Sequence, residues 1–209
     1  MLRKSLGLFI GMCYSSFLLA SGASQELSGT LAAYKTFSAI FSQKTFTANG
    51  RLISSAKGKF WLSRPNRFRW NALSPNKQMI VGDGQYVWIY DVDLMQVTKQ
   101  PFVNRGQSPI NILISDAKTL TSHYRVEKKT MIDGQVQYRL TAKAENSSLR
   151  GIQLFFKKGL LTAMALDNNL GQHSVFSFSG MALNSRIASS VFRFRVPKGV
   201  DVINNQGGM

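Results

Sequence analysis

The sequence predicts a mainly β fold with a minor α component: one antiparallel sheet, curled or closed into a barrel, with a buried helix against its concave side. Three observations lead there. Short β-prone, aromatic-rich runs recur along most of the chain, separated by brief turns that often hold glycine. In Arg67-Phe68-Arg69-Trp70 charge and aromatic alternate with the period of a strand that has one face on a core. One short segment, Ser108 to Ile114, breaks the pattern and is apolar nearly all round.

Composition sets the outer bounds. The 209 residues hold 26 Lys plus Arg against 10 Asp plus Glu, a formal charge of +16, with 44% hydrophobic and 17% charged residues. Such a chain builds a core and is not disordered. A single cysteine excludes a disulfide scaffold and a multi-cysteine metal site, and two histidines, His123 and His173, leave little for a zinc enzyme. No cofactor and no metal are expected.

Taken in order, the elements begin with an export signal. Met1-Leu2-Arg3-Lys4 is a cationic start, Leu6 to Ala20 is apolar, and Ser21-Gly22-Ala23 supplies small residues for cleavage. The apolar run is shorter than the roughly 20 residues that a permanent membrane helix needs. Residues 1–23 therefore read as a cleaved secretory signal and 24–209 as a single domain. Cys13 would leave with the signal, so the mature chain has no thiol and suits an oxidising compartment. Export removes nucleic acid as a partner for the basic surface.

The domain opens with Leu27, Leu31 and Tyr34 on one face of a short helix. Strand-like sequence follows at Phe37–Phe46, Arg51–Leu62 and Arg67–Trp70, where Phe68 and Trp70 share one face and both arginines the other. Gln78–Gly82 and Tyr86–Asp91 flank Asp83-Gly84, a tight-turn dipeptide. Further strands are expected at Met95–Lys99, His123–Lys129, Val136–Ala142, Leu149–Phe156, Leu160–Leu166, Ser174–Leu183 and Val191–Val196, punctuated by Gly134, Gly159 and Gly171. Ser108-Pro109 begins the apolar helix with a capping residue and a proline at the first helical position; a core strand is the alternative for so short a run.

Catalytic chemistry finds no footing. His123 and His173 lie in strand-like sequence without a nucleophile elbow. Gly82-Asp83-Gly84 joins strand to strand and opens no helix that could hold a phosphate. Asp91 and Asp93 read as a solvated turn. Basic strands with aromatics stack bases only if both share a face, and alternation separates them. The protein is not expected to be an enzyme.

Several stretches resemble one known family. Phe60-Trp61-Leu62-Ser63-Arg64-Pro65-Asn66-Arg67-Phe68-Arg69-Trp70, Val81-Gly82-Asp83-Gly84, Val87-Trp88-Ile89-Tyr90 and the tail from Phe192 through Pro197-Lys198-Gly199-Val200-Asp201 are similar to LolA, the periplasmic carrier family for outer-membrane lipoproteins. Phe41-Ser42-Gln43-Lys44 and the Ser108-Pro109 helix fall where the family has its first strand and a lid helix. The resemblance implies an incomplete, unclosed antiparallel β-barrel with a helical lid over its concave apolar face. It implies acylated lipoproteins as cargo, an inner-membrane Lol ABC transporter complex as donor and the outer-membrane receptor LolB as acceptor. It implies a periplasmic location and, for one-to-one carriage, a monomer. A lipid- or lipoprotein-sensing regulator of the same fold is the alternative.

The acyl-chain site then comprises Phe60, Leu62, Phe68 and Trp70 from the sheet and Ile110, Leu113 and Ile114 from the lid. Met79, Met95, Met164 and Met181 either adapt to cargo or fill the core. By motif position Arg64 resembles the family's lid latch. Its inward parity with Leu62 and Phe68 holds if the chain stays extended through Pro65. An inward guanidinium must find acceptors, and carbonyls at the end of the Pro109–Ile114 helix are expected to supply them.

Overall fold

In the computed structural model, which describes residues 17–102 and 109–205, twelve strands form one continuous sheet. They are β1 (Thr36–Phe46), β2 (Leu52–Ser63), β3 (Arg67–Ser74), β4 (Gln78–Asp83), β5 (Tyr86–Asp91), β6 (Gln96–Pro101), β7 (Tyr124–Thr130), β8 (Val136–Ala142), β9 (Leu149–Lys157), β10 (Leu160–Asn168), β11 (His173–Leu183) and β12 (Asp201–Asn204). Their order is β12-β6-β5-β4-β3-β2-β1-β11-β10-β9-β8-β7. The ends of that order do not meet, so the sheet is open and not a closed barrel. Its concave side carries three helices, α1 (Phe17–Ala32), α2 (Pro109–Ile114) and α3 (Ala117–His123).

Period-two burial drives the strands. Phe37, Ala39 and Phe41 of β1, Phe60 and Leu62 of β2, and Ile152, Leu154 and Phe156 of β9 are buried on the concave face. Strand glycines mark where rings approach the backbone. A Cβ on Gly58 would lie 1.9 Å from Asn71 O and 2.6 Å from the Phe41 ring; one on Gly82 would lie 2.3 Å from the Phe68 ring. The β4–β5 hairpin turns at Gly84, whose φ is 107°. Asp83 holds that turn by accepting from Gln85 N, Tyr86 N and the Trp88 Nε1–H. Partial burial opposes its charge, but these bonds outweigh it and keep the carboxyl below its usual range.

Four local expectations need correction. Val191–Val196 is no strand: Ser189–Phe192 forms a 3-10 turn and the chain then runs irregularly. Phe192 is buried, Phe194 lies 5.5 Å from Trp88, and the last strand comes later, as β12 pairing parallel to β6. The sheet is thus antiparallel except at that edge. Arg69 is not simply exterior: the tail crosses the convex face above it, and its guanidinium donates to Val191 O, Asn71 Oδ1 and Met79 Sδ. Arg67 is exposed as expected. The chain does not continue extended through Pro65, because residues 64–66 form the β2–β3 turn; Phe68 faces inward through its pairing with Leu62 across the hairpin.

The helices also differ in detail. α1 is longer than expected and runs through Ala23 and Ser24, both buried, so the expected cleavage point lies within it. The α3 helix was not expected from its polar sequence AKTLTSH; the Asp116 carboxylate caps it by accepting from Thr119 N, and it buries only Leu120. The expected capping residue Ser108 and the signal start, including Cys13, lie outside the described residues.

Candidate functional site

The concave face of the sheet and the underside of the helices meet in one apolar cluster. Phe37, Phe41, Phe60, Leu62, Phe68, Phe176 and Phe178 enter it from the strands, Leu27 and Leu31 from α1, and Ile112, Leu113 and Ile114 from α2. Trp70 and Ile110 pack against it, half-buried. Aromatic rings dominate the sheet side. Trp70 stacks on Phe41 with centroids 3.7 Å apart, meets Phe176 edge-on at 5.5 Å, and lies 5.6 Å from Phe60. Phe68 sits further along the face, 6.4 Å from Phe102.

All seven apolar residues expected from the sequence (Phe60, Leu62, Phe68, Trp70, Ile110, Leu113, Ile114) lie in or against this cluster. The sequence reading missed Phe41, Phe176 and Phe178, which face the same space. The signal was present in strand parity, since Phe41 alternates with Ala39 and Phe37, and Phe176 with Phe178. Of the four methionines, Met164 is buried and Met181 packs on the cluster, whereas Met79 faces Arg69 and Met95 is exposed in a turn.

Arg64 stands at one edge of the apolar space. Arg64 Nη1 donates to Ile114 O at 2.9 Å and Nη2 to Leu113 O at 2.6 Å, the last carbonyls of α2. The same fork reaches α1: Nη2 donates to Leu31 O at 2.8 Å, and Nε to Leu31 O and Tyr34 O at 3.1 Å each. Five short bonds therefore join one guanidinium to the C-terminal ends of two helices, where carbonyls lack intrahelical donors. Burial lowers the Arg64 pKa, yet an arginine stays charged, so carbonyl dipoles are its compensation. Its own amide continues the sheet by donating to Lys35 O, which sets the side chain's position rigidly.

The two helices are held differently at their other contacts. Tyr34, just past α1, donates from its hydroxyl to Gly159 O at 2.6 Å and accepts from Leu161 N at 2.8 Å. Glu26 pairs with Lys128 of β7. Burial, with the Glu26 carboxylate adding to it, pushes the neighbouring Tyr138 hydroxyl up to about 12. α1 is thus tied to the sheet by polar contacts, and Arg64 binds the last two carbonyls of α2.

Nothing in this arrangement resembles a reaction centre. His173 Nδ1 lies 2.6 Å from Asp167 Oδ1, both partly exposed on the convex side, while the next residue, Ser174, shares a hydrogen bond with Thr45. Among the described residues no three His, Asp or Glu side chains converge as metal ligands, and no helix is long and apolar enough to cross a membrane.

Comparison with known proteins gives the family. Residues 32–195 match the family model for outer membrane lipoprotein carrier protein LolA. An outer-membrane lipoprotein carrier protein of Coxiella burnetii is 33% identical over 199 residues, covering 95% of this chain and 94% of that one. A Neisseria meningitidis protein of the same description is 41% identical over 152 residues, covering 72% and 73%. An uncharacterized conserved protein from Thermus thermophilus shares the fold at a TM-score of 0.53 and 12% identity, over 88% of this chain and 99% of that one. With most of its length matched by the family model and near full-length relatives above 30% identity, this chain belongs to the LolA family of outer membrane lipoprotein carrier proteins.

Proposed function

We propose that this protein is a non-enzymatic periplasmic carrier that shields lipoprotein acyl chains between the α1–α2 lid and the concave sheet face. It receives its cargo from an inner-membrane Lol ABC transporter complex and delivers it to the receptor LolB. The homologues' description as lipoprotein carriers supports the cargo class. Physical chemistry supports the need: at about 0.8 kcal/mol per buried CH₂, a sixteen-carbon chain gains on the order of 12 kcal/mol by leaving water. Such chains do not cross an aqueous compartment bare. An aromatic and aliphatic cluster spanned by one latch is a suitable host, because opening it exchanges one set of apolar contacts for another.

The observation that carries the reading is the Arg64 fork on Leu113 O and Ile114 O. Cargo entering beneath α2 would lift it and break those bonds, so the latch raises the free energy of the loaded form and drives release without a local ATP supply. Arg64→Leu tests this. The variant is expected to fold, to accept lipoprotein from inner-membrane vesicles, and to pass it on poorly. Normal hand-off, or loss of loading alone, would show that Arg64 is no latch.

A further inference from the structure

The inward positions of β1 change chemistry without changing face. Phe37, Ala39 and Phe41 are buried in the apolar cluster, and Gln43 and Thr45 follow with the same parity. Pairing keeps them on the concave side. Gln43 lies between Ala56 of β2 and Phe176 of β11, which belong to or pack on the cluster, and Thr45 lies between Ser54 and Ser174. Gln43 Nε2 donates to Thr45 Oγ1 at 3.2 Å, and Thr45 Oγ1 shares a hydrogen bond of 2.9 Å with Ser174 Oγ. Thr45 is buried, and Gln43 and Ser174 are half-buried. Trp70, level with Ala39 in the sheet, stacks on Phe41 and meets Phe176 edge-on, so an aromatic wall precedes this polar row. Polar side chains in the core register of a strand cost stability, and such breaks of pattern concentrate at functional sites.

We propose that Gln43, anchored by Thr45 and Ser174, is the polar end of the acyl-chain site and donates to the ester carbonyl that joins an acyl chain to the cargo's glyceryl group. The inference rests on the carrier reading and adds an orientation to it. The methyl end of the chain lies under α2, and the ester lies where β1 approaches its turn into β2. Length agrees with this. Phe37 is level with Leu62, beside the Arg64 turn, and from Phe37 to Gln43 the strand advances six residues, about 20 Å, close to an extended sixteen-carbon chain. Donor count agrees as well. A carboxamide nitrogen carries two N–H groups; one goes to Thr45, and the other is of the kind that an ester oxygen, an acceptor only, requires. Charge favours a neutral carbonyl over a carboxylate. Lys44 and Lys57, the cations nearest in sequence on β1 and β2, have the opposite parity, are exposed, and so face away from the row.

The test uses protein recovered from the periplasmic fraction of cells expressing the full chain. It compares binding of two synthetic lipopeptides with the same peptide and the same sixteen-carbon chains, one with ester links to glycerol and one with ether links, which lack the carbonyl. Wild-type protein is expected to bind the ester form about three- to tenfold more tightly, the worth of one hydrogen bond. Gln43→Leu is expected to bind both forms alike. Thr45→Val, which removes the anchor of the amide and keeps its volume, is expected to narrow the preference while leaving affinity for the ether form unchanged. Equal binding of the two forms by wild-type protein overturns the assignment and leaves the carrier reading intact. A preference that survives in folded Gln43→Leu, or in Thr45→Val if the leucine variant does not fold, overturns it too. Wild-type protein that binds neither form sinks the carrier reading and the assignment together.

Discussion

Arg64 Nη2 donates to Leu113 O at 2.6 Å, the shortest of the bonds by which the β2–β3 turn holds the lid helix α2. Fork geometry matters there, because the same group also reaches Leu31 O of α1. Arg64→Lys keeps the charge but offers one compact nitrogen on a flexible stem, which cannot make the five bonds that the three guanidinium nitrogens make. The lysine variant is therefore expected to behave like Arg64→Leu, with loading retained and transfer to the acceptor strongly reduced. Restoration of transfer by lysine would show that charge alone suffices.

Phe68 is buried on the concave face beside the lid. A carboxylate in its place must stay solvated or be buried at a cost of several kcal/mol. Phe68→Glu is expected to fold with reduced stability and to lose cargo loading. Transfer of labelled lipoprotein from inner-membrane vesicles to the soluble fraction measures it, and unchanged transfer by a folded variant would remove Phe68 from the acyl-chain path.

Gly82 lets the Phe68 ring lie against the backbone of β4. A methyl group there would sit 2.3 Å from the ring, so Gly82→Ala must move Phe68 out of its present position. We expect a loss of about 1–3 kcal/mol in urea unfolding, typical of overpacking. Gly58→Ala should cost more, since its new methyl meets the Asn71 carbonyl, which is backbone and cannot swing aside. Equal or smaller losses at Gly58 would contradict the packing.

Tyr138 titrates near 12 in the folded protein against an ordinary value of 10. The folded state thus holds the phenolic proton more tightly than the unfolded state does. Its contribution is complete below pH 10 and declines as pH rises from about 10 to about 12. Urea midpoints measured across that range should fall less steeply in Tyr138→Phe than in the wild type. Parallel slopes would show that Tyr138 is not perturbed by burial and Glu26.

The expected export signal makes a further prediction. N-terminal sequencing of exported protein is expected to begin near Ser24, with residues 1–23 absent. Their retention in a membrane fraction would mean that the apolar run is an anchor.

Local chemistry made most of the elements readable in the sequence. Alternation placed Phe60 with Leu62 and Phe68 with Trp70, although the hairpin and not an extended path through Pro65 joined the two pairs on one face; Asp83-Gly84 marked its hairpin, and the apolar run at Ile110–Ile114 declared a buried helix. The export signal was legible too, as an expectation. Partnership between distant segments was decided only in three dimensions. No local pattern says that the tail covers Arg69 and Val81 on the convex face, or that β12 runs parallel to β6, because those contacts compete for an outer surface that alternation marks as exposed. Nor does a polar heptapeptide announce α3, which exists because Asp116 caps it and Leu120 finds the core. Arg64 shows both sides. Its residue type demanded acceptors, and the sequence named the end of α2 as one source; that the end of α1 shares the same guanidinium followed only from packing two helices on one concave sheet.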